Sequence, residues 1–179
     1  MMSVSQEKAD LRKRYRTERR ERYVEHDFLM LADIPEIQSA DIIGSYFSIN
    51  DEPSTALLNA KLHQMGKTVA LPSLDGGQMR WHIWDGATID LSKKIPEATG
   101  EVIDPHTFGA ILVPALRVDR RGYRLGQGGG YFDRALATLN CWSCALVHPD
   151  EISSSDLPTD EWDIPVRAFA TPDMISRIK

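Results

Sequence analysis

Asp41-Ile-Ile-Gly-Ser-Tyr-Phe47 reads as a buried strand, followed by a turn over Asn50 to Pro53 and a Gly- and Pro-free stretch from Ser54 to Met65. That stretch predicts a helix stopped at Gly66, and Lys67-Thr-Val-Ala-Leu71 a second strand. Strand, helix and strand joined by connections this short form a crossover unit whose strands lie parallel. The pattern recurs with the strand Ala110-Ile-Leu-Val113, a polar and glycine-rich loop at 114–129, a helix from Gly130 to Leu139, and a strand from Ser143 to His148. Two such units predict an α/β fold, a three-layer sandwich with a mostly parallel sheet. Ligands of such sheets gather at the carboxyl ends of the strands, so chemistry is expected in the loops after Phe47 and Val113.

Outward from these units, residues 5–23 lack Gly and Pro and predict a first helix, with Lys8, Arg12, Arg16 and Arg19 on one side. Met79 to Trp84 predicts a short strand or hairpin in which Trp81 and Trp84 are core residues, and residues 85–108 read as loop. The tail resolves into a loop at 149–162, a strand over Arg167 to Thr171, and a short helix opened by Thr171-Pro172. No repeat or linker interrupts the chain, which predicts a single domain over residues 1–179.

With 42% apolar and 26% charged residues the composition is that of a globular protein. No apolar run approaches a bilayer span, and polar residues occupy the place of a secretory signal, so the expected compartment is the cytoplasm, with no membrane partner. Cys141 and Cys144 are too few for a disulfide scaffold. Their spacing fits a redox or zinc pair, but no second ligand pair accompanies them, and they read as structural thiols. The net charge of −5 conceals a basic segment at 8–22, which holds eight Lys/Arg against three acids in an otherwise acidic chain. One basic helix on an acidic protein suits a small anion rather than nucleic acid. A monomer is the default expectation.

Arg124-Leu-Gly-Gln-Gly-Gly-Gly-Tyr-Phe-Asp133 carries the chemistry. Four glycines within five positions let backbone amides turn inward, and a following helix start favours phosphate. No Gly-Lys-Ser/Thr follows, against a P-loop, and a long loop replaces the tight turn of a dinucleotide fold, against a nicotinamide-dependent oxidoreductase.

From Ile111 to Leu136 the chain resembles the 5-formyltetrahydrofolate cyclo-ligase (5,10-methenyltetrahydrofolate synthetase) family. The likeness continues in Lys8-x-x-Leu11-Arg12, Glu52 with Thr55, Gly66-Lys67 with Leu71-Pro72, Leu157-Pro158 through Trp162-Asp163-Ile164-Pro165, and Ala170-Thr171-Pro172. It departs at Phe132, where a second tyrosine is common, at Val118 before Asp119, and at Pro53-Ser54 after Glu52.

The resemblance implies a NagB/RpiA/CoA transferase-like fold and a cytoplasmic ligase of folate one-carbon metabolism. Such an enzyme converts 5-formyltetrahydrofolate and ATP, with magnesium, to 5,10-methenyltetrahydrofolate, ADP and phosphate. It further implies that ATP is bound by Lys8, Arg12, Arg124, Leu125, Gly126, Gln127, Gly128, Gly129, Gly130, Tyr131 and Phe132, with Arg124 and Tyr131 catalytic. The reduced folate would meet Arg12, Phe47, Glu52, Gln127, Gly129 and Tyr131, and the metal Asp133 and Asp163. Read from the residues alone, Lys8 and Arg12 are equally solvated charges, Asp133 a first-turn helix acid, Glu52 and Asp163 turn and loop acids, and Phe47 and Tyr131 core aromatics. Of five scattered histidines only His148, at a strand end, lies where a site residue could. A second reading keeps the fold and makes the chain a non-catalytic regulator that binds a folate or phosphorylated metabolite.

Overall fold

The protein is described by a computed structural model covering residues 3–87, 89–93 and 95–179. It opens with α1 (Val4–Arg22), whose N-cap Ser3 accepts a hydrogen bond from the Gln6 amide at 3.2 Å. A 3-10 turn (Leu29–Asp33) and the one-turn α2 (Pro35–Gln38) lead into β1 (Ile42–Gly44), α3 (Ala56–Gln64), β2 (Thr68–Asp75) and β3 (Gln78–Ile83). The second half runs through β4 (Ala110–Pro114), β5 (Arg117–Val118), β6 (Arg124–Leu125), α4 (Tyr131–Leu136), β7 (Trp142–Leu146), β8 (Ala168–Thr171) and β9 (Met174–Arg177).

Seven strands form one sheet in the order β3-β2-β1-β4-β7-β8-β9. The five inner strands run parallel, and β3 and β9 close the two edges antiparallel. This is the mostly parallel α/β arrangement that the two crossover units imply. Strands buried on both faces must alternate their apolar side chains between two cores, and they do so residue by residue. Ala110, Leu112, Cys144, Leu146, Ala168 and Ala170 face one core with Leu58 and Leu62 of α3 and Ile37 of α2. Ile111, Val113, Ala145 and Phe169 face the other with Val118 of β5 and Leu136 of α4. Each fully buried Leu or Ile contributes roughly 1.5–3 kcal/mol over its exposed state. Trp81 and Trp84, three residues apart on and beside a strand, fall in opposite cores, as do Cys141 and Cys144, which are free thiols. Burial pushes both thiols upward.

Three expectations require correction. Residues 114–129 are not a plain loop, because Arg117 and Val118 pair antiparallel with Leu125 and Arg124 in a small ribbon of their own. Val118 and Leu125 are buried, which the surrounding polar residues conceal. The helix expected over Gly130–Leu139 spans only Tyr131–Leu136, beyond which the Thr138 and Leu139 amides revert to i→i−3 bonds. The helix expected after Thr171 is β9. Pro172-Asp173 forms the two-residue turn of a hairpin with Thr171 opposite Met174, and Ile175 and Ile178 reach opposite faces of the sheet. Proline before aspartate suits the centre of such a turn as well as it suits a helix start.

Candidate active site

The sheet changes direction between β1 and β4. From β1 the chain crosses outward to β2, and from β4 it crosses to β7 on the other side. Loops leaving two adjacent parallel strands in opposite directions open a crevice at their carboxyl ends. A cleft of about 760 Å³ lies there, lined by Tyr46, Phe47, Ile49 and Glu52 after β1 and by Pro114 to Leu116 after β4. The glycine turn, the start of α1 and the Asp160–Asp163 segment complete it, with an apolar wall of Pro72, Leu74 and Met79 from β2 and β3.

The glycine turn is held from behind by the basic side of α1. Arg12 Nε donates to the Gly126 carbonyl at 2.9 Å, and Arg16 donates to both the Gln127 carbonyl and its side-chain oxygen at 2.9 Å. Gly128 and Gly130 sit at φ +109° and +65°, a region side chains disfavour, so the turn needs glycine there. The carbonyls of Gly126 and Gln127 are thus engaged, whereas the amides of Gly126 to Gly130 donate to no acceptor among the described residues. A run of unengaged amides beside a cleft is an anion cradle.

Around that cradle, cations and carboxylates are paired. Lys8 Nζ meets Asp160 Oδ2 at 2.7 Å and also Asp163 Oδ2. Burial opposes the Lys8 charge, but these two partners outweigh it and raise the ammonium above its ordinary range. Arg124, its side chain only 3% exposed, donates to Asp133 Oδ1 at 2.8 Å and to the Ile164 carbonyl at 2.7 Å. The Ile164 amide donates to the same Asp133 oxygen at 3.2 Å, which brings the segment after Asp163 against the start of α4. Asp133 and Asp163, thirty residues apart in sequence, therefore share one wall, each with its second oxygen unbonded among the described residues.

At the other end Glu52 is buried, and desolvation raises its carboxyl above the usual range against the pull of the Ile49 amide, which donates to Oε2 at 3.0 Å. Arg19 and the Gln127 side chain also draw it down. The loop that carries Glu52 is anchored from below. His148 Nε2 bonds the Asp51 carbonyl at 2.9 Å and so must carry the proton, which gives the one histidine at a strand end a role in holding the loop. Glu151 receives the His148 amide at 2.8 Å and pairs with buried Arg19 at 2.6 Å, and Arg19 also reaches the Ala115 carbonyl.

Of the residues singled out in the sequence, Lys8, Arg12, Phe47, Glu52, Arg124, Gly126 to Gly130, Tyr131, Phe132, Asp133 and Asp163 all line the cleft. Phe132 also packs edge-on against Trp81, 6.3 Å between centroids, so it belongs to the core as much as to the cleft. Leu125 is the exception. It is buried, pairs with Arg117, accepts the Leu116 amide, and does not line the cleft. Arg16, noted on the basic side of the first helix, and Trp162, noted in the C-terminal signature, were given no site role from sequence, and Asp160 was not singled out. Arg16 grips Gln127, Asp160 holds Lys8, and Trp162 stands at the cleft margin. Helical spacing puts Arg16 on the same side as Arg12, while nothing local pairs Asp160 with Lys8.

The profile of the 5-formyltetrahydrofolate cyclo-ligase family matches residues 4–172. The 5-formyltetrahydrofolate cyclo-ligase of Escherichia coli is 29% identical over 154 residues, 79% of this chain and 83% of the relative. That of Mycolicibacterium smegmatis is 29% identical over 146 residues, 75% of each. The NMR structure of Aquifex aeolicus 5,10-methenyltetrahydrofolate synthetase superimposes with a TM-score of 0.81 at 27% identity, covering 96% of this chain and 93% of that one. A 5,10-methenyltetrahydrofolate synthetase from Mycoplasma pneumoniae shares the fold at a TM-score of 0.72 and 17% identity, covering 92% and 98%. With a match that runs from the first turn of α1 to the β8–β9 turn and takes in the whole cleft, the chain belongs to the 5-formyltetrahydrofolate cyclo-ligase family.

Proposed function

We propose that this chain, as one domain and a monomer in the cytoplasm, closes 5-formyltetrahydrofolate to 5,10-methenyltetrahydrofolate at the expense of ATP, releasing ADP and phosphate. The observation that carries the reading is the row of unengaged amides from Gly126 to Gly130, set among Lys8, Arg12 and Arg124 in the same cleft as the buried Glu52. The formyl oxygen is a poor leaving group. It attacks the terminal phosphorus of ATP, ADP departs with the electrons of the broken bond, and the oxygen becomes a phosphate ester. The folate's 10-nitrogen then adds to the formyl carbon and loses its proton, and phosphate leaves with the carbon–oxygen bond pair.

Neither step needs a nucleophilic side chain; both need neutralised charge and fixed geometry. Lys8, Arg12 and Arg124 supply charge to the phosphates, and the amides around Gly126 to Tyr131 supply directed donors. Arg124 is fixed by two bonds before any ligand arrives, so it needs little reorganisation. Tyr131, with the Arg134 guanidinium 4.8 Å from its ring, closes the turn toward the folate. Glu52, whose carboxyl burial raises above its ordinary range, faces the polar edge of the pterin, with Phe47 and Arg12 beside the ring system.

Asp133 and Asp163 fit magnesium, since each keeps a carboxylate oxygen free and this hard ion takes one or two carboxylates together with substrate phosphates. When bound there, the ion would offset charge on the transferred phosphoryl group. No helix among the described residues is long and apolar enough to cross a membrane.

The test mixes purified protein with 5-formyltetrahydrofolate and adds or omits ATP and magnesium. Methenyl absorbance is expected only in the complete mixture, with one ADP per turnover. Folded protein that binds folate but makes neither product nor ADP would replace this reading with the regulatory one.

A further inference from the structure

The anion cradle and its cations account for phosphates, but nothing in them recognises a nucleobase, which needs a flat apolar platform. The cleft margin offers several aromatic rings, and most are already engaged. Tyr46 is buried with its hydroxyl on the Pro53 carbonyl at 2.8 Å, and Phe132 packs on Trp81. Phe47 meets Trp84 edge-on at 6.0 Å, and Tyr131 lies under Arg134. Trp162 differs from all of these. It is 74% exposed, whereas Trp81 and Trp84 are 2% and 6% exposed, and its ring has no aromatic or cationic partner among the described residues.

Trp162 is nevertheless held in place. Its amide donates to Asp160 Oδ1 at 3.0 Å, and Asp160 and its neighbour Asp163 are both tied to buried Lys8. The Asp160 amide donates back to Asp163 Oδ2 at 2.8 Å, so the Asp160–Asp163 turn is internally braced. The indole is thus carried into the cleft lining by a braced turn whose two acids hold Lys8, the ammonium assigned to the phosphates. A large aromatic surface left in water in the lining of a phosphate site, on a hydrogen-bonded turn, has the form of a stacking platform.

We propose that Trp162 stacks the adenine ring of the nucleotide and is the residue that separates ATP from a bare polyphosphate. This rests on the nucleotide reading of the glycine turn. Stacking on an indole tolerates any purine, so the discrimination lies between nucleotide and inorganic phosphate rather than between bases.

Two measurements on the intact protein test it. ADP with magnesium should quench tryptophan fluorescence excited at the red edge in wild type, and most of that change should vanish in Trp162→Phe, because the remaining tryptophans are buried or half-buried away from the base. In binding assays with magnesium present throughout, Trp162→Ala should weaken ADP by about 5- to 100-fold and leave inorganic tripolyphosphate within about twofold, while Trp162→Phe, which keeps a ring, should lose little. Equal ADP affinity in wild type and Trp162→Ala, with tripolyphosphate still bound, removes Trp162 from the base site and leaves the phosphate cradle standing. Weakened 5-formyltetrahydrofolate with unchanged ADP would give the ring to the folate and overturn the proposal. Absence of both ADP and tripolyphosphate binding in wild type would overturn the proposal together with the nucleotide reading beneath it.

Discussion

Replacing Arg124 with alanine separates the two roles its environment implies. The guanidinium makes two hydrogen bonds, to Asp133 Oδ1 and to the Ile164 carbonyl, in a position where its own side chain is 3% exposed. Charge-assisted bonds of this kind are worth about 1.5–3 kcal/mol each when buried. Asp133 retains 27% side-chain exposure, so water can take over part of the lost partnership and the sum is discounted accordingly. The expected destabilisation is roughly 2–4 kcal/mol, or about 4–16 °C in Tm for a chain of this size. Affinity for ATP should fall tenfold or more through loss of a directed charge, while folate binding by the unliganded protein changes less. Arg124→Ala combined with Asp133→Ala should regain part of the stability, because removing both partners abolishes the orphaned carboxylate, but it should regain no ATP use. Thermal unfolding and nucleotide titration on the three proteins decide this. An Arg124→Ala variant with wild-type ATP kinetics and Tm would refute the reasoning and make Arg124 an incidental charge.

Glu52→Gln should damage folate use with little change in ATP affinity, and steady-state kinetics in each substrate check it. Because burial raises the Glu52 carboxyl, the folded chain holds that proton to higher pH than the unfolded chain does. Wild type therefore gains stability as pH falls from neutrality through the raised value toward the ordinary glutamate range. The amide variant lacks this gain, so its Tm advantage should be greatest at neutral pH and shrink on acidification; a constant difference would contradict the burial argument. Asp133→Asn and Asp163→Asn should each raise the magnesium needed for half-maximal activity, and the double variant should be little worse than the weaker single. Unchanged magnesium curves accompanied by lowered Tm would make both acids purely structural.

The parallel sheet was legible because buried strands such as Ala110-Ile-Leu-Val113 carry continuous apolar runs, and because Gly66 marks where α3 must stop. The elements that were misread are those whose local chemistry suits two structures. Thr171-Pro172 serves a helix start or a hairpin turn, and only the pairing of Met174–Arg177 with β8 decides between them. The ribbon of β5 and β6 rests on two residues per strand, too few for a period-2 pattern to emerge on either side of the turn at 119–123. In the site, the glycine turn was legible as an anion cradle from its own residues and Glu52 through family resemblance, but the partners that tune them were not. Asp160 lies 152 residues from the lysine it holds, and Arg19 lies 132 from Glu151. Long-range pairs of this kind leave no trace in spacing, because each member looks like one more surface charge until the fold brings them together. Leu125 shows the converse, since its place inside the motif suggests contact with ligand while its register in β6 turns it into the core.

The charges of the cleft bear on what it can select. Among the described residues Lys8, Arg12, Arg124 and Arg134 line it against Glu52, Asp133, Asp160 and Asp163, so these cations and acids are equal in number. Free phosphate or polyphosphate would have to draw Lys8 away from Asp160 and Asp163 and Arg124 away from Asp133, leaving carboxylates desolvated beside a new anion. That cost offsets much of the attraction. A ligand that brings phosphates and a divalent cation together meets no such conflict, since the cations can turn to phosphate oxygens while the carboxylates find a positive partner. The amides of Gly126 to Gly130, which enter no ion pair and donate to no acceptor among the described residues, favour an anion without that competition. The ion pairs hold Lys8 and Arg124 in fixed positions before a ligand arrives and weaken the response to any anion that arrives without a metal, so the same contacts serve positioning and selection.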